Sequence, residues 1–161
     1  MEPAGVRAMW MRVVVATALA VFAVPAEEPW SKPQEITPEA LAAVLRNPGA
    51  PKPAIFETSF PVLYRNRHIP GAIFAGPGAR QEGLDLLKQA VAKLPREREI
   101  VIYCGCCPMR QCPNIRPAFR LLQQLGFRNT RVLVIPTNLA KDWIDKGYPI
   151  ERPRQAMPGS P

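Results

Sequence analysis

The sequence has no cysteine outside one short segment. All of its cysteines lie between positions 104 and 112, namely Cys104, Cys106, Cys107 and Cys112. Disulfides that stabilise a small exported domain are spread along the chain, because they must close long loops. The clustering therefore excludes a distributed disulfide framework and predicts a local chemical site. Within the segment, the adjacent pair is poorly placed to bridge, whereas Cys104 or Cys107 can reach Cys112 if the loop bends.

The sequence also lacks an apolar run long enough to cross a bilayer comfortably. Its N-terminal apolar run covers residues 13–24, whereas a transmembrane helix needs about 20 such residues. Arg7 and Arg12 precede the run, and small residues suited to cleavage follow at 24–26. This pattern predicts a signal peptide over residues 1–26, with a permanent anchor as the less favoured alternative. We expect an exported protein, periplasmic or secreted, without stable membrane insertion after signal cleavage.

Acidic residues and histidine are scarce. Lys and Arg number 21 against 13 Asp and Glu, which gives a formal net charge of +8. The basic residues are scattered and do not interleave with aromatic side chains, so no nucleic-acid partner is predicted. A positive bias of this kind attracts small anions to a cleft. The single histidine, His68, is interpreted as a structural residue of a turn rather than a catalytic one.

Hydrophobic periodicity predicts one α/β domain between loosely structured ends. The predicted helices cover residues 38–46, 84–94, 117–125 and 138–146, and the predicted strands cover 54–57, 72–74, 99–103 and 132–135. The predicted organisation after the signal peptide is an N-terminal segment with one helix at 27–53, the domain at 54–152, and a disordered tail at 153–161. Alternating strands and helices predict a three-layer fold, in which helices cover both faces of a mainly parallel sheet of four or five strands.

Cys104 follows the strand that we interpret as central, because residues 99–103 form a continuous apolar run. Ligands bind beyond the carboxyl ends of strands in such sheets. Loop amides and the next helix N-terminus favour negative charge there, and the thiolate is the nucleophilic form of cysteine. Arg110 and Arg116 can add positive charge and pair with an anionic substrate.

Several motifs occur together in an order typical of one family. The segment His68-Ile69-Pro70-Gly71-Ala72-Ile73 resembles the HIPGA motif of rhodanese-like domains, and residues 100–104 resemble their strand leading to the active-site cysteine. Residues 125–127 resemble the end of the following helix, and Trp143 with residues 146–150 resembles the closing W and GYP elements. The chain is thus similar to the rhodanese-like domain family over about residues 54–151.

The resemblance implies a sulfurtransferase or sulfur carrier, of the thiosulfate:thiol or thiosulfate:cyanide type. Cys104 would hold a persulfide, and Arg110 would neutralise the leaving anion. The other candidate site residues are Gly105, Cys106, Cys107 and Arg116 for substrate binding, and Cys112 as a possible resolving cysteine. The implied partners are a small sulfur-containing anion and a thiol acceptor, without a cofactor or a metal.

Alternatives remain open for the cysteine segment. Cys104 and Arg110 have the Cys-x5-Arg spacing of rhodanese-related phosphatases and arsenate reductases. Four thiols are also suitable ligands for zinc, copper(I) or an iron–sulfur cluster. Cys112 could form a redox disulfide with Cys104. The fourth alternative is a catalytically inactive binding module, because a fold does not fix a function.

Overall fold

The computed structural model describes residues 28–152. Over this range the chain forms a parallel sheet of five strands with helices on both faces. The predicted signal peptide, residues 1–26, and the predicted tail, residues 153–161, lie outside the described residues. Within the described range, no helix combines the length and apolar character that crossing a membrane requires.

The sheet has the strand order β1-β5-β4-β2-β3. Its strands are β1 (Glu35–Ile36), β2 (Ala54–Glu57), β3 (Ala72–Phe74), β4 (Ile100–Tyr103) and β5 (Thr130–Leu133). All four residues of the central strand β4 are buried, as expected for a continuous apolar run covered on both faces. Glu57 lies opposite Tyr103, so β2 and β4 end at the same edge of the sheet.

The helices are α1 (Pro38–Arg46), α2 (Pro61–Asn66), α3 (Gln81–Val91) and α4 (Ile115–Gln124). Two 3₁₀ turns cover Lys32–Gln34 and Met109–Gln111, and a π-helical turn covers Ala140–Ile144. The hydroxyl of Thr37 accepts a hydrogen bond from the amide of Ala40 at 3.2 Å and so caps α1. Pro38 suits the first helical position, because its missing amide would have no helical partner.

Two hydrophobic layers flank the sheet. On one face, α3 and α4 pack over inward residues of β2, β4 and β5, and Cys104 and Cys112 belong to this core. On the other face, α1 and the turn Ala140–Ile144 cover a core that contains Tyr103 and Trp143. The predicted three-layer fold is confirmed, and the five strands agree with the predicted four or five.

The helices and strands lie near their predicted positions, with differences at the ends. Helix α4 begins at Ile115 instead of Pro117, since proline is tolerated within a first helical turn. The last predicted helix is reduced to the turn Ala140–Ile144. Helix α2 and strand β1 were not predicted, because each is too short for hydrophobic periodicity to reveal. Since β1 pairs with β5, the predicted N-terminal segment 27–53 contributes a strand to the sheet.

Candidate cysteine site

The cysteines lie on the loop that joins β4 to α4. Cys104 directly follows the central strand, and the backbone carbonyl of Tyr103 accepts from both the amide and the hydroxyl of Thr58, at 2.8 and 3.1 Å. Two residues further along, the carbonyl of Gly105 accepts from the amide of Leu139 at 3.1 Å. A Cβ at position 105 would approach the Cβ of Leu139 to 2.9 Å, so this close contact requires glycine. The start of the loop is therefore firmly held.

The second half of the loop is fixed by the turn Met109–Gln111. The Met109 amide donates to the carbonyl of Ile135 at 2.8 Å, and the Cys112 amide donates to the carbonyl of Met109 at 3.1 Å. The side chains of Met109 and Cys112 are buried in the core under α4. Burial and backbone hydrogen bonds together turn the Cys112 side chain back toward the start of the loop.

The four sulfur atoms converge. The Sγ of Cys106 lies 3.1 Å from that of Cys104 and 3.2 Å from that of Cys107. All four Sγ atoms, including that of Cys112, lie within 4.8 Å of one another. The four cysteines are free thiols, two of them buried and two half-buried. The structure thus gathers in one place all four cysteines that were predicted to form a site.

Burial opposes ionisation of the three downstream thiols. It raises the pKa of Cys106 to about 12 and also raises the pKa of Cys107. The pKa of Cys112 is raised well above its usual range, first by hydrogen bonding with Cys104 and then by burial. These thiols therefore keep their protons at neutral pH. The Cys112 thiol can donate to the Cys104 sulfur, and in the contact between Cys104 and Cys106 either sulfur can be the donor.

Asn114 is a contact of Cys104 that the sequence analysis missed. Its side-chain amide donates to the Sγ of Cys104 at 3.5 Å, while its carbonyl oxygen accepts from the amide of Ala79 at 3.1 Å. The residue is buried and immediately precedes α4. Asn is a favoured residue directly before a helix, where its side chain often caps the first turn, yet here the side chain does not cap α4 and contacts the thiol instead.

Arg110 and Arg116 do not contact the cysteine sulfurs. Arg110 is exposed and lines a cavity with Lys32 and Glu35 that none of the cysteines borders. Arg116 forms an ion pair with Glu28 at 2.6 Å and donates to the backbone carbonyls of Arg110 and Cys112. These hydrogen bonds from Arg116 hold the backbone of the cysteine loop in place. The predicted roles of both arginines toward an anion stay predictions.

A different arginine, Arg67, shares a cavity with the cysteine loop. This cavity of about 350 Å³ is bordered by Gly105 and Cys106 on one side and by Asn66 and Arg67 on another. The Nε atom of Arg67 is buried and has no hydrogen-bond partner within residues 28–152. Arg67 is not among the predicted site residues, although its position directly before the HIPGA-like segment could have indicated it.

His68 has the structural contacts expected of it. Its ring stacks on Tyr64 with centroids 4.0 Å apart, and its Nδ1 lies 2.9 Å from the carbonyl of Tyr64. Its backbone amide and carbonyl form a two-residue bridge with Glu151. These contacts fasten the turn before β3 to the end of the described chain.

The structure defines a three-layer α/β domain with a parallel five-stranded sheet and a cysteine at the carboxyl end of its central strand. The family model described as Rhodanese-like domain matches residues 37–134. The chain therefore belongs to the rhodanese-like domain family. A comparison with curated proteins found no match.

Solved structures support the same fold. The rhodanese-like domain of the Alr3790 protein from Anabaena is 23% identical, with a TM-score of 0.54 over 80% of this chain and 88% of that one. The BH2092 protein from Bacillus halodurans is 23% identical, with a TM-score of 0.57 over 73% and 76%. A thiosulfate sulfurtransferase from Pseudomonas aeruginosa is 28% identical, with a TM-score of 0.53, and the match covers 73% of this chain but 19% of that one.

Proposed function

We propose that the chain is a sulfur carrier or sulfurtransferase that forms a persulfide on Cys104. The observation that carries the proposal is the position of this thiol, at the carboxyl end of the central strand of a rhodanese-like domain. Donors from Asn114 and neighbouring thiols face its sulfur, and such donors stabilise negative charge on a nucleophile. The similarity to a thiosulfate sulfurtransferase adds support for this chemistry.

The first step is attack of the Cys104 thiolate on the outer sulfur of thiosulfate. A sulfur–sulfur bond forms to Cys104 as the bond to the sulfonate breaks, and sulfite leaves with the bonding electron pair. An acceptor thiolate then attacks the outer sulfur of the persulfide, which returns the Cys104 thiolate and yields a persulfide on the acceptor. We infer that Arg67 binds the anionic donor, because it lines the same cavity as Cys106 and a guanidinium can pair with an anion.

The proposed partners are thus a small sulfur-containing anion and a thiol acceptor. The net charge of +8 favours approach of such an anion. Export, predicted from the N-terminal residues, would place the reaction in an oxidising compartment, where the acceptor must be kept reduced.

Intact-mass spectrometry before and after incubation of the reduced chain with thiosulfate tests the proposal. We expect a gain of one sulfur, about 32 Da, that peptide mapping assigns to Cys104 as the reactive thiolate. Cys104→Ser should abolish the gain. The matched variant Cys106→Ser, two positions away on the same loop, should retain part of it. Equal loss from both variants, or no gain in the fully reduced chain, would refute a single nucleophile at Cys104.

A further inference from the structure

The four thiols have the arrangement of a metal-binding site. A tetrahedron with its corners 2.3 Å from a central zinc ion has edges of about 3.8 Å. The closest sulfur pairs here lie 3.1 and 3.2 Å apart, and every pair lies within 4.8 Å. We propose that Cys104, Cys106, Cys107 and Cys112 bind one Zn²⁺ ion with four thiolate ligands.

The ligand set is suited to a soft cation. The cluster consists of cysteines alone, without a carboxylate or imidazole from the described residues. A site of four sulfur ligands favours zinc over the hard ions magnesium and calcium, which prefer oxygen. Two of the thiols are buried and two are half-buried, so the site is enclosed in the core yet retains an entry path for the ion.

The loop holds the ligands in place without a metal. Hydrogen bonds from Leu139 and Met109 to backbone carbonyls fix both halves of the loop against the segment that follows β5. Pro108 and Pro113, each next to a cysteine, restrict the backbone further. A preformed arrangement lowers the entropy cost of ordering the four ligands around the ion.

The surroundings also accommodate the charge of a zinc–thiolate centre. The thiols give up their protons when Zn²⁺ binds, and four thiolates around one Zn²⁺ form a centre with a net charge of −2. The Asn114 amide lies 3.5 Å from the Cys104 sulfur, and Arg67 lines the same cavity as Cys106. Donors and positive charge around the ligands stabilise such a centre.

Zinc binding has a consequence that rests on the proposed persulfide function. A Cys104 sulfur bound to zinc is not free to attack thiosulfate, so metal and persulfide exclude each other. The zinc-loaded chain should gain no sulfur, and removal of zinc with a chelator should restore the gain.

Equilibrium dialysis of the reduced full chain against Zn²⁺, with elemental analysis, tests the site. We expect one zinc per chain, and we expect Cys107→Ser and Cys112→Ser to weaken binding by at least about 100-fold, since even outer-shell changes cost 10- to 100-fold. The control Gln111→Ser alters an exposed side chain of the same loop and should bind as the unaltered chain does. Co²⁺ in place of Zn²⁺ should show the absorption bands of tetrahedral cobalt thiolate.

Circular dichroism shows whether each variant is folded and so distinguishes loss of a ligand from loss of the fold. If Cys112→Ser does not fold, Cys107→Ser still tests the site, because it changes a half-buried residue. Substoichiometric zinc, binding that survives both cysteine substitutions, or binding of Cu(I) alone would overturn the proposal. Persulfide formation on Cys104 without zinc binding would refute only the metal site. Zinc binding without any persulfide in the zinc-free chain would refute only the proposed function.

Discussion

Tyr103 and Cys104 are adjacent at the end of the central strand, yet their side chains enter opposite faces of the sheet. The Tyr103 hydroxyl donates to the buried Glu57 carboxylate and accepts from the Ile69 amide at 3.2 Å. The second oxygen of Glu57 accepts from Ser59. Every polar group of this cluster has a buried protein partner, which is the arrangement expected of a structural network.

The cysteine cluster on the other face differs in the strength of its hydrogen bonds and in its access to a cavity. Its closest contacts are between thiols, which are weak donors and acceptors, and Cys106 borders an open cavity. The two polar clusters at the end of β4 therefore differ in their surroundings: Tyr103 and Glu57 have buried hydrogen-bond partners, whereas the cysteine cluster borders a cavity. Four predictions test that contrast.

The largest effect should appear in thiol reactivity. Because burial raises the pKa of Cys106 to about 12 from an ordinary value of 9.0, its thiolate fraction at pH 8 falls by roughly 1000-fold. Timed alkylation of the metal-free reduced chain, read by peptide fragmentation, should label Cys104 long before Cys106. In Cys104→Ser, the remaining thiols should all react slowly. Equal labelling of Cys104 and Cys106 would contradict the assignment of the nucleophile.

The next effect concerns stability. Tyr103→Phe removes a hydroxyl that serves both Glu57 and Ile69, so buried polar groups lose their partner. We expect a loss of about 1–3 kcal/mol in the free energy of unfolding, measured by urea denaturation. Tyr148→Phe is the control, because its hydroxyl bonds to Glu39 at an exposed position. Persulfide formation by folded Tyr103→Phe should be unchanged, and its loss would show that the two clusters are coupled.

A smaller effect on catalysis should distinguish the roles of Arg67 and Arg110. Arg67→Ala should reduce kcat/KM for thiosulfate by about 10-fold, as expected when a charged hydrogen bond to an anion is lost. Arg110→Ala, at a site whose cavity contains no cysteine, should change it by less than about 2-fold. Arg67→Lys should recover part of the loss, since it keeps the charge without the planar fork. The opposite ranking would support the role that the sequence predicts for Arg110.

The sequence predicts the fold better than the site. Continuous apolar residues identify β4 as the central strand, and the alternation of strands and helices then places Cys104 at its carboxyl end. The contact of Asn114 with Cys104 and the position of Arg67 at the same cavity as Cys106 are not predictable in this way. They depend on the packing of α2 and of the loop around Gly78, where a Cβ would lie 2.2 Å from the Asn114 carbonyl. No hydrophobic periodicity in the sequence indicates tertiary contacts of this kind.

The location of the Arg110 side chain also depends on tertiary contacts. Its sequence spacing from Cys104 suits an arginine that folds over an anion, but the turn Met109–Gln111 exposes it to solvent. The turn is fixed by the hydrogen bond between Met109 and Ile135, residues that are distant in sequence. The Cys-x5-Arg spacing therefore shows only that Cys104 and Arg110 are near each other along the chain. Tertiary contacts decide where their side chains lie.

The smallest expected effect is a dependence of stability on pH that originates in the structural network. Burial raises the pKa of Glu57 above its ordinary value of 4.5, although hydrogen bonds from Ser59 and Tyr103 partly oppose the shift. The native state therefore keeps this proton to higher pH than the unfolded state does. The resulting stability is fully present below the unfolded pKa and is lost as pH rises through the folded pKa.

Glu57→Gln removes this titration, so its free energy of unfolding should vary less with pH above 4.5 than that of the unaltered chain. The difference in slope is at most about 1.4 kcal/mol per pH unit, the value for a single proton. Urea denaturation at a series of pH values measures it. Glu82→Gln, an exposed change in the first turn of α3, is the control. If the free energy of unfolding depended on pH equally in Glu57→Gln and in the unaltered chain, the protonation of Glu57 would not change on folding. The network would then stabilise the fold through hydrogen bonds alone.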